Sequence, residues 1–169
     1  WPLAKFPVLR DNARGKTIPE SSIVIEYLAR TQPSAASLVP NDPDLAMQTR
    51  ILDRVIDSYI HVPFQQIVAE RMRPDGQHDP FGVEQARDRI RASYGVIAPM
   101  IAGPWAMGSV FTLADCAAFP ALFYADYGVP LSGWPELTAY LARLKARPSV
   151  ARVLAEAEPF FQYFPLKDG

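Results

Sequence analysis

The sequence predicts an α+β chain, a β-hairpin and one helix followed by an all-helical bundle. Three observations carry this. Two short apolar runs, at residues 5–10 and 17–18, flank a polar turn that contains Gly15. Residues 32–43 hold three prolines and two serines with little periodicity. Beyond them apolar residues recur at helical spacing only.

The elements follow in order. Residues 5–10 read KFPVLR, a strand-like run containing a proline, and Thr17-Ile18 gives the second strand. A helix runs from about residue 21 to 30, with Ile23, Val24, Tyr27 and Leu28 on one side. A two-stranded hairpin is marginal alone. The chain opens on Trp1 rather than Met, so its pairing neighbours are expected upstream. Residues 32–43 read as a linker. A helix over residues 44–73 carries Leu52, Val55, Ile56, Tyr59 and Ile60 on one stripe. Pro63 should kink it, because proline cannot donate to the Tyr59 carbonyl, and Pro74-Asp75-Gly76 closes it. A second helix over 82–102 carries Val83, Ala86, Ile90, Tyr94, Ile97 and Ile101. Further helices are expected at 112–125, 135–146 and 149–157, with an aromatic tail at 158–169 packed back on them. The domain reading is therefore 1–31, linker 32–43 and helical domain 44–169.

Composition narrows the function classes. Hydrophobic residues make up 49% of the 169 and charged residues 21%, ordinary for a globular protein. A formal net charge of −1 gives no basic field for nucleic acid. No apolar run reaches the roughly 18–20 residues of a membrane span, and residues 1–10 do not read as a signal peptide. Cys116 is the one cysteine, which excludes an internal disulfide framework and fits a reducing compartment. His61 and His78 have no metal-ligand spacing around them, so no metal is expected.

Four motifs remain, each with an ordinary structural reading beside a chemical one. Phe6-Pro7 lies in a strand. Only about 5–6% of X–Pro bonds are cis, so residues alone favour a trans edge proline, whereas a cis bond would turn the backbone toward a ligand. Glu20-Ser21 opens a helix after a strand. The pair either caps the helix or holds a ligand, a carboxylate at the free N–H groups and Ser21 hydroxyl and an ammonium at Glu20. Thr112-Leu113-Ala114-Asp115 has capping-box spacing, so Thr112 and Asp115 read as structural, with Asp115 buried. Cys116, among Ala117, Ala118 and Phe119, reads as inert packing.

In this order, these pieces resemble the cytosolic glutathione transferase superfamily, in a bacterial-type member, and the likeness covers essentially the whole chain. KFPVL resembles the strand with the family's cis proline. IPESSIVIEYL resembles the Glu-Ser helix start, FTLADCAAFPAL the capping box of the core helix, and RPSVARVL a late helix opening. The resemblance implies a partial thioredoxin-like N-terminal domain followed by an all-α C-terminal bundle. It implies that Phe6, Pro7, Glu20 and Ser21 bind glutathione, the co-substrate. It implies attack of the glutathione thiolate on a small hydrophobic electrophile by a cytoplasmic, homodimeric detoxification enzyme. Tyr59, His61, Phe64, Ile67 and Tyr124 are the expected electrophile pocket, since such linings are mostly apolar or aromatic. The family's activating Ser, Tyr or Cys lies in a first strand–helix unit with no counterpart here, so the catalytic residue is unknown. The rivals are a glutathione-dependent isomerase, dehalogenase or thiol reductase on the same fold, or a non-enzymatic binding module.

Overall fold

The computed structural model describes residues 1–32, 37–101 and 103–166. Strands β1 (Val8–Asp11) and β2 (Lys16–Pro19) pair antiparallel, with Leu9 opposite Ile18 and Asp11 opposite Lys16. Gly15 takes φ +64° in the turn, a conformation glycine adopts at little cost. Asp11 organises this corner. Its carboxylate accepts from the Arg14 N–H at 3.0 Å, the Arg14 guanidinium at 2.9 Å and the Tyr27 hydroxyl at 2.6 Å. Those bonds, Tyr27 first, hold its pKa down to about 2. Tyr27 belongs to α1 (Ser21–Thr31), so one carboxylate joins hairpin to helix. The Phe6–Pro7 peptide bond is cis.

Of the expected linker, residues 33–36 lie outside the described residues. After it come α2 (Pro43–Ile56), a π-helical turn (Asp57–His61) and α3 (Val62–Glu70). Asp42 caps α2 by accepting from the Leu45 N–H at 2.9 Å, and Pro43 stands in its first turn, where a missing N–H costs nothing. The single kinked helix expected over 44–73 is thus two helices joined by a π turn, in which the Val62 N–H reaches back to the Asp57 carbonyl. Pro63 leaves the Tyr59 carbonyl without its helical donor. The Ser93 hydroxyl of α4 (Pro80–Ile97) compensates, lying 3.0 Å from that carbonyl and 2.6 Å from the Arg89 carbonyl. Helix α4 starts two residues earlier than expected because Asp79 caps it at the Gly82 N–H, 2.8 Å. It ends earlier too, in a 3-10 turn at Ala98–Met100 that contains Pro99; Ala102 lies outside the described residues.

Helix α5 (Leu113–Gly128) is the centre of the bundle, packed against α2, α3 and α6 (Pro135–Ala146), and α7 (Pro148–Ala157) packs on α6. Ala114, Ala118, Ala121 and Ala125 are buried at helical spacing along it, and small side chains there let the α2 backbone approach. Leu52, Ile56, Ile60, Phe64 and Ile67 bring the α2–α3 face to this core. Ile90, Tyr94 and Ile97 of α4, with Leu137, Tyr140 and Leu144 of α6, complete it. The tail turns through a 3-10 segment, Glu158–Tyr163, and Phe164 packs on Phe64, Tyr124 and Tyr127. Residues 167–169 of that tail lie outside the described residues. Among the described residues, no helix is long and apolar enough to cross a membrane.

Thr112 and Asp115 sit in capping-box geometry. Asp115 is fully buried. Its Oδ2 accepts from the Thr112 N–H at 2.7 Å and the Thr112 hydroxyl at 3.0 Å. Its Oδ1 accepts from the Ala106 N–H at 2.8 Å and the Tyr140 hydroxyl at 2.7 Å. Asp115→Ala strands these buried donors, so the expected loss is about 3 kcal/mol or more, a fall of roughly 6–12 °C in melting temperature. Thermal melts followed by circular dichroism check this, and a fall within about 2 °C would show that the network contributes little.

Candidate functional site

Helix α1 begins on an unusual residue. Glu20 occupies the N-cap position with φ +67° and ψ +116°, and it makes no side-chain cap hydrogen bond. Positive φ is uncommon outside glycine, and such outliers concentrate at ligand sites. The first-turn N–H groups of an 11-residue helix are thereby left without a side-chain acceptor from the cap position. Glu20 and Ser21 are both exposed there. Of the two readings open to this pair, the geometry leaves side-chain capping by Glu20 unused.

The same residues edge a cleft of about 540 Å³. Glu20, Ser21 and Ser22 form its α1 wall. Arg50, Asp53, Arg54, Asp57 and His61 form the α2 and π-turn wall, and Leu113, Cys116, Ala117, Pro120 and Ala121 form the α5 wall. Two cross-links hold α1 to α2. The Ser22 hydroxyl donates to Asp53 Oδ1 at 2.9 Å, and the Arg50 guanidinium donates to both oxygens of Glu26 at 2.9 and 2.8 Å. The Arg50 fork holds the Glu26 pKa below its usual value. Desolvation raises that of Asp53, against the Ser22 bond.

The structure gathers only part of the expected constellation. Glu20, Ser21 and His61 line one cleft. Phe6, 92% exposed, and Pro7 stand outside its lining. The expected electrophile wall needs correction. Phe64 and Ile67 are core residues, 2% and 3% exposed, packed beneath Gly128. Tyr124 packs on Phe123 and Phe164, and Tyr59 is an exposed residue that does not line the cleft. The reason is helical phase. Residues 53, 57 and 61 share one face of α2 and its π turn, while 56, 60, 64 and 67 share the face turned to α5. Reading the sequence missed Asp53 and Asp57, although their four-residue spacing to His61 signals a polar stripe along an amphipathic helix.

Cys116 faces this cleft in part, but burial, with Asp115 beside it, pushes its thiol up to about 11. The thiolate fraction near neutral pH is therefore well below that of a free cysteine. Iodoacetamide should alkylate Cys116 in the folded chain at least about tenfold more slowly than it alkylates a free cysteine. Mass spectrometry against a time course checks this, and labelling at the free-cysteine rate would make the thiol reactive.

Comparison with known proteins gives a consistent picture. The family described as the glutathione S-transferase C-terminal domain matches residues 80–143. A glutathione S-transferase of Pseudomonas putida is 28% identical, over 93% of this chain and 73% of that protein. The crystal structure of a glutathione S-transferase from Methylobacterium radiotolerans, in complex with glutathione sulfonate, is 30% identical with TM-score 0.75, covering 89% of this chain and 72% of that one. A glutathione transferase homologue from Sulfitobacter, with bound glutathione, is 26% identical with TM-score 0.77, covering 92% and 76%.

Proposed function

Because the chain belongs to the glutathione S-transferase superfamily, we propose that it is a glutathione transferase whose α1 start holds the γ-glutamyl end of glutathione. One observation carries the reading: helix α1 opens into the cleft without a side-chain cap, with Glu20 and Ser21 at its mouth. The γ-glutamyl group carries an ammonium and a carboxylate on one carbon. The helix N–H groups and the Ser21 hydroxyl suit the carboxylate, and Glu20 suits the ammonium. The Phe6 backbone, beside Pro7, pairs with the cysteinyl part, as the family resemblance implies.

The chemistry is attack of the glutathione thiolate on a small hydrophobic electrophile, with carbon–sulfur bond formation and departure of the leaving group. The thiolate is the nucleophile, so lowering the thiol pKa is the enzyme's main task. We assign no side chain of this sequence to that task. His61 contacts the electrophile side of the cleft. Residues 1–31 serve as the glutathione-binding part, 32–43 as linker and 44–169 as the helical domain. Exposed Met47, Ile51, Tyr59 and Val62 leave apolar surface along α2 and its continuation, which supports a homodimer. A cytoplasmic location accords with the lone free cysteine.

Ser21→Ala separates ligand binding from capping. A hydrogen bond to a charged group is worth about 1.5–3 kcal/mol, so the glutathione dissociation constant should rise about tenfold or more, with the melting temperature nearly unchanged. Calorimetric titration of full-length wild type and variant, beside their melts, gives both numbers. Unchanged affinity with a lowered melting point would make Ser21 a cap and remove the site.

A further inference from the structure

Asp53 stands where packing alone gives no reason for a carboxylate. It is only 8% exposed, in the wall between α1 and α5. The arginines one helical turn to one side and next along the chain are both committed elsewhere. Arg50 forks onto Glu26, and Arg54 donates to Asp57 at 2.5 Å. Among the described residues, its hydrogen-bond partner is the Ser22 hydroxyl. A buried carboxylate with one neutral donor is costly, and an apolar side chain of similar size is often as stable or better. The raised pKa agrees: desolvation comes first, Asp57 and Glu26 add to it, and Ser22 and Arg54 oppose it. Glu20 at the α1 start, Cys116 of α5 and His61 of the π turn complete the titratable groups that line the same cleft.

What Asp53 holds is the first turn of α1. Ser22 directly follows Ser21, and its bond to Asp53 spans 31 residues. One turn further along α1, Glu26 meets Arg50, which lies one turn back along α2. The two ties are successive rungs between helices running in opposite senses, and together they fix the rotation of α1 about its axis. That rotation aims the Ser21 hydroxyl and the neighbouring N–H groups.

We propose that Asp53 is a positioning residue: acting through Ser22, it holds the first turn of α1 in register for the γ-glutamyl carboxylate of glutathione. This rests on the glutathione reading given above. The test compares full-length wild type with Asp53→Asn, Ser22→Ala and the double variant. Glutathione affinity is read by calorimetry, kcat and KM with 1-chloro-2,4-dinitrobenzene as the electrophile, and stability by thermal melts. Each single variant should weaken glutathione binding about fivefold, the scale of one hydrogen bond. The double variant should be no weaker than the worse single, because the two residues act as one unit. KM for glutathione should rise while kcat at saturating glutathione and KM for the electrophile stay within about twofold of wild type. Asp53→Asn should melt at or above wild type near neutral pH, since it discharges a desolvated carboxylate; a merely structural Asp53 would lower the melt and leave KM alone. Affinities within twofold of wild type in the folded singles, additive losses, or tighter binding by Asp53→Asn would each overturn the proposal. If Asp53→Asn fails to fold, Ser22→Ala decides it by the same fivefold criterion. A wild type that binds no glutathione overturns the functional reading itself, and this proposal with it.

Discussion

The bundle depends on one buried carboxylate. Asp115 collects donors from the Ala106 loop, from its own helix start and from Tyr140 on α6. A carboxyl group this deeply buried is tolerable only because each oxygen accepts two hydrogen bonds. The bonds are also directional, so they set where loop and helices meet, which apolar contacts alone leave loose. Two residues back, Leu113 contributes at the same point: its N–H donates to the Leu38 carbonyl at 2.7 Å. The start of α5 thereby anchors the approach to α2 and, through α2, the far wall of the cleft.

Proline shapes the helices on either side of that anchor. Pro43, Pro80, Pro135 and Pro148 stand in first turns, where no N–H is needed. Pro63 and Pro120 stand where one is. Pro63 follows a π turn, and Ser93 takes over the Tyr59 carbonyl. The π turn rotates the chain relative to an uninterrupted α-helix, so the apolar face continues from Ile56 through Ile60 to Phe64 against α5 while His61 still lines the cleft. Pro120 removes the helical donor of the Cys116 carbonyl, and both residues line the same cleft.

Much of this was legible in the sequence because it is local. The hairpin, the helix after Pro19 and the Thr112–Asp115 pair each rest on spacings of a few residues. Helix starts shifted where an N-terminal proline and an acidic cap act together, as at Asp79 and Pro80. Ala106 and Tyr140 were not legible as partners of Asp115, because nothing local marks residues 9 and 25 positions away. The cleft wall was misread for a different reason. Aromatic and apolar residues on α2 and α3 suggest a hydrophobic pocket, but the strongest apolar positions, Phe64 and Ile67, are claimed by the core first. What remains for the cleft is the polar stripe of Asp53, Asp57 and His61.

The two buried carboxylates of α2 and α5 make the contrast between folding and function concrete. Asp115 has four donors, and losing it leaves them unpaired. Asp53 has one hydroxyl, and desolvation raises its pKa. A raised carboxylate pKa favours the protonated form in the folded chain. Stability from this group is therefore present below the unfolded value and is lost as pH rises through the folded one. Folding therefore disfavours ionisation of Asp53. A carboxylate desolvated at the junction of α1 and α2, bonded to the neighbour of Ser21, is more economically explained by what α1 must present than by what the core must hold.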